Sequence, residues 1–269
     1  MRSNAMALKI VVCVKPVPAN TNVTIDPVTK TVRREAGENV ISTLDKNALE
    51  LAAQLKRTVD CEVTVISMAP ASAEINIREA LARGGDKAVI LSDRAFAGGD
   101  TYATSYVLSQ GIKKLGGCDL VLMGSASDDG GTGQLTAQLG EWLGMRHLHN
   151  ALSLELKENH LEVTTAADKQ LCTWKCDMPA VVSVNRSINK PGPAPVRNII
   201  MAARKPLQIW SADDLDELDR NMIGLKNSPT QNGELYPLDA GRSGVVFEGS
   251  TEEIVEDILD KIASAGIQL

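Results

Sequence analysis

The segment best suited to chemistry is a glycine-rich loop from Gly124 to Thr136, which reads GSASDDGGTGQLT. It follows a buried apolar run and leads into a helical pattern from roughly Thr132 to Leu143. Glycines allow a backbone to approach a ligand closely, and the free N–H groups of a helix's first turn favour an anion such as phosphate. The loop therefore predicts a nucleotide-binding site, with a merely flexible connection as the alternative.

Polar residues at two places bear on such a nucleotide. Asp128 and Asp129 would repel a phosphate, so we expect them to cap the turn or to bind ribose hydroxyls. Asp100, Thr101 and Thr104 lie at a predicted helix start, just after a strand and two glycines. That helix start suits a nucleotide or a flavin, and an ordinary strand-to-helix connection explains it equally well.

Three familiar motifs are absent from the sequence. Residues 15–18 read KPVP where a dinucleotide-binding GxGxxG would follow the first strand, and no GxxxxGK(S/T) occurs. Ser125 and Ser127 do not lie in a GxSxG sequence. An ordinary nicotinamide dehydrogenase, a P-loop ATPase and a hydrolase with a nucleophile elbow are therefore disfavoured.

Histidine and cysteine side chains do not predict a metal site. His147 and His149 could face the same way on a strand, and His160 follows in a region where exposed histidines are common. Cys172 and Cys176 share one face of a predicted strand, without the second pair that a zinc site needs. We expect no metal, with binding by the two neighbouring histidines as the minor alternative.

The composition indicates a mildly acidic α/β protein. Of its 269 residues 43% are hydrophobic and only 3% aromatic, which favours helices packed on a buried aliphatic sheet. The net charge of −6 argues against a dedicated nucleic-acid binder. No apolar run approaches the roughly 20 residues of a membrane span. With five scattered cysteines and no secretion leader, we expect no membrane insertion and a cytoplasmic location.

Strand and helix patterns alternate over the first half of the chain. Nearly continuous apolar runs predict buried strands at residues 7–14, 61–68, 87–91 and 119–124. Helices are predicted between them, one with Ile75, Ala80 and Leu81 facing inward, and a hairpin is predicted from Thr24 to Val32. This alternation predicts a doubly wound, mostly parallel sheet of the Rossmann-like, adenine-nucleotide-binding type.

After Gly144 the rhythm changes. Residues 151–176 predict a small antiparallel addition, and the AVVSV run after Pro179 is predicted to rejoin the main sheet. Residues 187–196 contain three prolines and a glycine, which predict an exposed loop. We assign these segments to one nucleotide-binding domain, residues 6–205.

The remaining residues, 206–269, are predicted to form a C-terminal arm. They lose periodicity from Gly224 to Gly244 and end in an amphipathic helix from Thr251 to Ala263. A long irregular stretch before a helix with an apolar stripe is unusual inside a compact domain. We therefore expect the arm and its helix to wrap a partner subunit.

Together these segments resemble the β subunit of electron transfer flavoprotein. The opening IVVCVKPVP is similar to the family's first strand and the lysine-containing segment after it. DLVLMG with DDGGTGQLTA is similar to the family's nucleotide-binding loop and helix. MPAVVSVNRSINKPGPAPVRNIIMAARK resembles the stretch that forms its partner-recognition loop, and the tail GVVFEGSTEEIVEDIL also matches. The resemblance covers nearly the whole chain.

The resemblance implies a heterodimer in which an α subunit holds the redox FAD and the β subunit helps to enclose it. It also implies a second nucleotide in the β subunit, either AMP or a second FAD. An acyl-CoA-type or other flavin dehydrogenase would dock on the complex and exchange electrons with it. The chain itself would then be an electron carrier without catalytic residues of its own.

The same resemblance implies the binding residues. The positions that match the family's second-nucleotide site are Cys13, Ser42, Met68, Gly124, Asp128, Asp129, Gly130, Gly131, Thr132, Gly133, Gln134, Leu135 and Thr136. Asp100, Thr101 and Thr104 are added from the helix start described above. The positions that match the partner-recognition loop are Asn189, Pro191 and Val196, with Val196 as the anchoring aliphatic residue.

Two other classes of function stay open. One is a universal-stress-protein-like module that binds an adenine nucleotide without flavin. The other is an enzyme of the same fold class that cleaves or transfers at an adenylate, although no general base, nucleophile or metal set stands out in the loops. The long C-terminal arm argues against the isolated module.

Overall fold

The computed structural model describes residues 7–19, 24–25, 32–33, 39–158, 160–167, 170–230 and 244–267. Their strands are β1 (Leu8–Cys13), β2 (Pro16–Pro18), β3 (Thr24–Ile25), β4 (Val32–Arg33), β5 (Asn39–Ile41), β6 (Cys61–Met68), β7 (Lys87–Leu91), β8 (Leu120–Gly124), β9 (Arg146–Leu156), β10 (His160–Ala167), β11 (Gln170–Asp177), β12 (Ala180–Val184) and β13 (Leu207–Trp210). Their α helices are α1 (Thr43–Thr58), α2 (Glu74–Arg83), α3 (Thr101–Lys114), α4 (Leu135–Leu143), α5 (Val196–Ala202) and α6 (Thr251–Ser264).

One large sheet organises the described residues, with nine strands in the order β11-β10-β9-β12-β8-β1-β6-β7-β13. In this order, each neighbouring pair between β9 and the edge strand β13 is parallel. At the other edge, β10 pairs antiparallel with both β9 and β11. The central strands are almost entirely buried, as expected for strands covered on both faces. The doubly wound, mostly parallel fold with a small antiparallel addition is confirmed.

Helices cover both faces of this sheet because alternate strand residues point to opposite sides. Ile10 of β1 belongs to the apolar core beneath α1 and α2, and its neighbour Val11 belongs to the core beneath α3 and α4. None of the helices in the described ranges is both long enough and apolar enough to cross a membrane.

The inward face of α2 differs from the prediction. Ile77, Ala80 and Leu81 are fully buried, whereas Ile75 is 77% exposed. Residues two positions apart lie about 200° apart around a helix, so Ile75 and Ile77 cannot share a face. The expectation that Ile75 faces inward is wrong.

The loops largely follow the sequence pattern. α4 begins at Leu135, later than Thr132, because Gly131 and Gly133 have positive φ angles of 62° and 67° that a helix does not allow. β3 and β4 pair in the expected hairpin, whose Asp-Pro turn lies outside the described residues. The proline-containing segment has no regular structure from residue 189 to the start of α5.

The boundary placed at residue 206 falls just before an edge strand of the sheet. β13 pairs in parallel with β7, and Ala212, Leu215 and Ile223 are buried in the same core as α3. By contrast, α6 buries none of its residues against the described chain. The described residues up to Thr230 therefore stay on the globule. Their apolar side chains pack in its core as far as Ile223, Ser228 is buried, and the Thr230 backbone N–H bonds to Asp100.

Candidate functional site

The candidate site lies where the winding of the sheet reverses. From β1 the chain continues to β6 and β7 on one side and later to β8 and β12 on the other, so β1 and β8 are neighbours. Loops that leave the carboxyl ends of two such strands diverge and form a crevice where ligands bind. Here these are the loop after Cys13 and the glycine-rich loop after Gly124.

Asp45, in the first turn of α1, ties the two loops together. Its carboxylate accepts hydrogen bonds from the backbone N–H of Lys15 at 2.7 Å and of Gly124 at 2.9 Å. Burial raises the pKa of this carboxyl from 3.8 to about 7, against the opposing effect of the two N–H donors. A Cβ on Gly124 would lie 2.7 Å from Asp45 Oδ1, so the approach of α1 requires this glycine. Asp45 was not among the residues that the sequence predicted for this site.

Asp128 caps α1 from the glycine-rich loop. Its carboxylate accepts a hydrogen bond from the backbone N–H of Thr43 at 2.7 Å, and its own backbone N–H donates to the buried Ser42 hydroxyl at 3.2 Å. A carboxylate in this position satisfies a free N–H and interacts favourably with the helix dipole. The Asp128 carboxylate thus caps α1 rather than the turn that contains it.

Lys15 and Asp129 form an ion pair across the crevice. Lys15 Nζ lies 2.6 Å from Asp129 Oδ1 and 3.5 Å from Ser127 Oγ. Partial burial raises the pKa of Asp129, but the hydrogen bond and the charge of Lys15 outweigh it and hold that pKa below its usual value. The pairing offsets a negative charge that would otherwise repel an anion at this edge.

The N-terminus of α4 is open, unlike that of α1. Its N-cap residue Gln134 makes no side-chain capping bond, and its first turn contains no acidic residue. Among the described residues, the backbone N–H groups of Thr132, Gly133 and Gln134 have no protein hydrogen-bond partner. Gly131 and Gly133 keep side chains away from them. Free backbone N–H groups that glycines leave accessible are suited to bind a phosphate.

Asp100 and Thr101 lie at the start of α3, beside the same loop. Asp100 caps α3 with one carboxylate oxygen, and the other accepts a hydrogen bond from the backbone N–H of Thr230 at 2.8 Å. The Thr101 hydroxyl donates to Gln134 Oε1 at 3.0 Å, which joins the starts of α3 and α4. Thr104 is half-buried on α3. Two segments singled out separately in the sequence thus meet in space.

The remaining positions expected in this site lie deeper. Cys13 is buried at the end of β1, and burial raises the pKa of its thiol far above its ordinary value, so the thiol is neutral. Thr136 is also buried, with its hydroxyl 3.7 Å from Met123 Sδ. Met68 and Leu135 are half-buried at the end of β6 and the start of α4. None of these side chains brings a charge to the crevice.

The segment expected to recognise a partner has one face on the domain and one face in solvent. Asn189 exchanges hydrogen bonds of 3.0 Å with the buried Asn47 of α1, and Pro191 is half-buried. Val196 is the first residue of α5 and is 73% exposed, so its side chain is not packed into the core of its own domain. The large apolar residues that follow it on the exposed surface are Ile199, Ile200 and Met201.

Within the described ranges, no group of three or more His, Cys, Asp or Glu side chains could hold a metal ion. The histidines lie in three different settings. His147 packs beside Gly140 of α4, His149 Nδ1 lies 3.0 Å from Ser183 Oγ, and His160 Nε2 lies 3.7 Å from a carboxylate oxygen of Glu162.

Fold and site together define a class of protein, a doubly wound α/β chain. Where the winding of its sheet reverses, an uncapped helix N-terminus follows a glycine-rich loop. A family model described as "Electron transfer flavoprotein domain" matches residues 29–215, more than half of the chain. The chain belongs to the electron transfer flavoprotein family.

Similar proteins include β subunits of that family. The chain is 38% identical to "Electron transfer flavoprotein subunit beta" of Thermoanaerobacterium thermosaccharolyticum, over 96% of this chain and 98% of the relative. It is 34% identical to "Caffeyl-CoA reductase-Etf complex subunit CarD" of Acetobacterium woodii, over 95% and 98%. It is 30% identical to "Protein FixA" of Bradyrhizobium diazoefficiens, over 94% and 90%. These likenesses favour the β-subunit interpretation over a universal-stress-protein-like module.

Proposed function

We propose that this chain is an electron transfer flavoprotein β subunit that binds an adenine nucleotide at its switch point and pairs with an α subunit to relay electrons. The observation that carries the proposal is the open N-terminus of α4 behind Gly131 and Gly133, in a chain of this family. The chain's own carboxylates do not compete for it, because Asp128 caps α1 and Asp129 is paired with Lys15.

The donor set fits the phosphate of AMP or of a second FAD. Thr132, Gly133 and Gln134 would hold it through their backbone N–H groups, and the uncharged Cys13 and Met68 lie at the ends of the neighbouring strands. The FAD shared with the α subunit would supply the redox chemistry. This chain would bind and orient the nucleotide and help to exclude water from the shared FAD. We also propose a cytoplasmic location, which the free cysteines support.

Replacement of Gly133 by valine tests the nucleotide site. A β-branched residue at φ 67° is strained, and its side chain would cover the approach to the free N–H groups. Gly116→Val is the matched control, since Gly116 has φ 85°, open space around it and a place at the far end of α3. We expect Gly133→Val to lose the acid-releasable nucleotide of the purified complex while Gly116→Val keeps it. A folded Gly133→Val complex with full nucleotide content would contradict the proposal.

We propose that α6 binds the α subunit. Val255, Ile258 and Leu259 are exposed on it, an apolar surface that a partner would cover. Ile258→Glu should prevent co-purification with the α subunit, whereas Glu256→Lys, on another face of the same helix, should not. Deletion of residues 231–269 should have the same effect and leave the core folded, because the contact of Thr230 with Asp100 is kept. Co-elution of the truncated chain with its α subunit would refute this assignment.

We propose that a flavin dehydrogenase, of acyl-CoA or another type, docks on the exposed surface around Val196. The relative from Acetobacterium woodii is named as part of a caffeyl-CoA reductase complex, which supports a partner of this kind. Val196→Ala should raise the Michaelis constant for the dehydrogenase by about tenfold, as expected for an anchor residue. Because the side chain is exposed, the melting temperature should not change. A lower melting temperature with an unchanged Michaelis constant would make Val196 purely structural.

A further inference from the structure

A histidine outside the expected set borders the open end of α4. A Cβ placed on Gly133 would lie 3.6 Å from His149 Cε1 and 3.7 Å from His149 Nε2. The imidazole edge therefore faces the residue whose backbone N–H is free. A side chain at position 133 would cover that edge, so the glycine leaves the ring accessible as well as the backbone.

A β-bulge directs His149 toward this loop. The register between β9 and β12 shifts between Val182 and Val184, and Asn150 has a φ of 60°. Such a conformation is uncommon outside glycine and persists where surrounding contacts hold it. Here the Asn185 side-chain amide donates to Asn150 Oδ1 at 2.9 Å. Bulges of this kind re-aim side chains next to binding sites.

Ser183 determines which nitrogen of the ring carries the proton. Its hydroxyl is fully buried, accepts a hydrogen bond from the backbone N–H of Asn150 at 3.0 Å and lies 3.0 Å from His149 Nδ1. A buried hydroxyl uses its proton, and His149 Nδ1 is its acceptor among the described residues. The neutral ring is therefore protonated at Nε2, on the edge that faces Gly133. Burial lowers the pKa of His149, which favours this neutral form.

We propose that His149 Nε2–H donates a hydrogen bond to a phosphate oxygen of the nucleotide held at the N-terminus of α4. The inference rests on the proposed function, since it requires a nucleotide at that place. It adds a side-chain donor, fixed in direction by Ser183 and the bulge, to a site otherwise built from backbone N–H groups. In the described part of the chain, Nε2 has no other hydrogen-bond partner.

The test measures binding of AMP and of FAD to the nucleotide-stripped complex with the α subunit. His149→Leu removes the donor and should weaken binding of the nucleotide that the wild type takes up by about ten- to a hundredfold, as for a hydrogen bond to a charged group. His149→Gln offers an amide N–H near the position of Nε2 and should restore much of the affinity. His160→Leu, a histidine on β10 away from the loop, is the matched control and should change nothing. Melting temperatures of all variants show that each one is folded.

The outcomes separate the two proposals. A wild-type complex that binds neither AMP nor FAD would overturn the proposed function. Wild-type binding that His149→Leu leaves unchanged would overturn only the role of His149. Equal losses in His149→Leu and His149→Gln would also overturn it, because both variants lose the Nδ1 acceptor that Ser183 reaches and a purely structural role would affect them alike.

Discussion

The N-termini of α1 and α4 lie at the same edge of the sheet and differ in what occupies them. At α1, the Asp128 carboxylate caps the helix and Asp45 binds the two neighbouring loops. At α4, glycines and Gln134 precede the first turn and no acidic side chain is present in it. Both ends carry the same partial positive charge. Whether a helix N-terminus holds the fold together, as at α1, or is left open for the proposed anion, as at α4, therefore depends on whether the chain's own carboxylates occupy it.

Ionisation of Asp45 should have the largest effect on the stability of the capped end at α1. Its pKa is about 7 in the folded protein and 3.8 as the ordinary value, so the folded state binds the additional proton between these values. The contribution of this carboxyl to stability is complete below the lower value and is lost as the pH rises through the higher one. Relative to Asp45→Asn, we expect the free energy of unfolding of the wild type to fall by on the order of 1 kcal/mol per pH unit across this window. Urea unfolding of both proteins measures it, and parallel pH profiles would show that Asp45 is ionised throughout.

Gly124→Ala should separate α1 from β8. The added methyl would lie 2.7 Å from both Asp45 Oδ1 and Leu44 Cβ, so one of these elements must move. We expect a loss of about 2 kcal/mol in the free energy of unfolding, as for an overpacked core position. Gly192→Ala is the control, because it has open space around it. Equal stabilities of the two variants would mean that α1 and β8 can move apart without a loss in the free energy of unfolding.

Asp128→Ala should open the capped end without touching the site at α4. Loss of an N-cap acceptor costs about 1 kcal/mol, and Asp128→Asn, which keeps an oxygen acceptor, should cost less. Thermal melting measures stability, and AMP titration of the complex should show that the nucleotide still binds. If Asp128→Ala kept full stability but lost AMP, the carboxylate would belong to the ligand rather than to α1.

Thr101→Val should produce the smallest effect. It removes the 3.0 Å hydrogen bond to Gln134 that joins α3 to the open end of α4, at a cost of about 0.5 kcal/mol. Thr104→Val on the same helix is the comparison, since the hydroxyl of Thr104 is not part of that bond. A loss of nucleotide affinity in Thr101→Val alone would show that this bond also orients the loop. Identical behaviour of the two variants would limit it to local packing.

The nature of the elements was readable from local patterns. Continuous apolar runs such as those of β1 and β8 predict strands buried on both faces. The start of α4 was predicted too early, because the sequence does not show that Gly131 and Gly133 have positive φ angles. The inner face of α2 was readable from the sequence as well, although the prediction chose the wrong isoleucine. Ile77 has the i, i+3, i+4 spacing with Ala80 and Leu81 that one helix face requires, and Ile75 does not.

Residue order alone was enough to predict a glycine-rich loop between β8 and a following helix, because glycine spacing and helix patterns are properties of neighbouring residues. That this loop binds a phosphate stays a prediction. The tertiary structure decided which group each acidic side chain binds. Thr43 meets Asp128 across 85 positions, and Asp45 meets Gly124 across 79. His149 reaches the loop only because β12 lies between β8 and β9 and a bulge turns the ring. Hydrogen bonds depend on angstrom-scale distances between groups far apart in the chain, and strand order in the sheet brings them together.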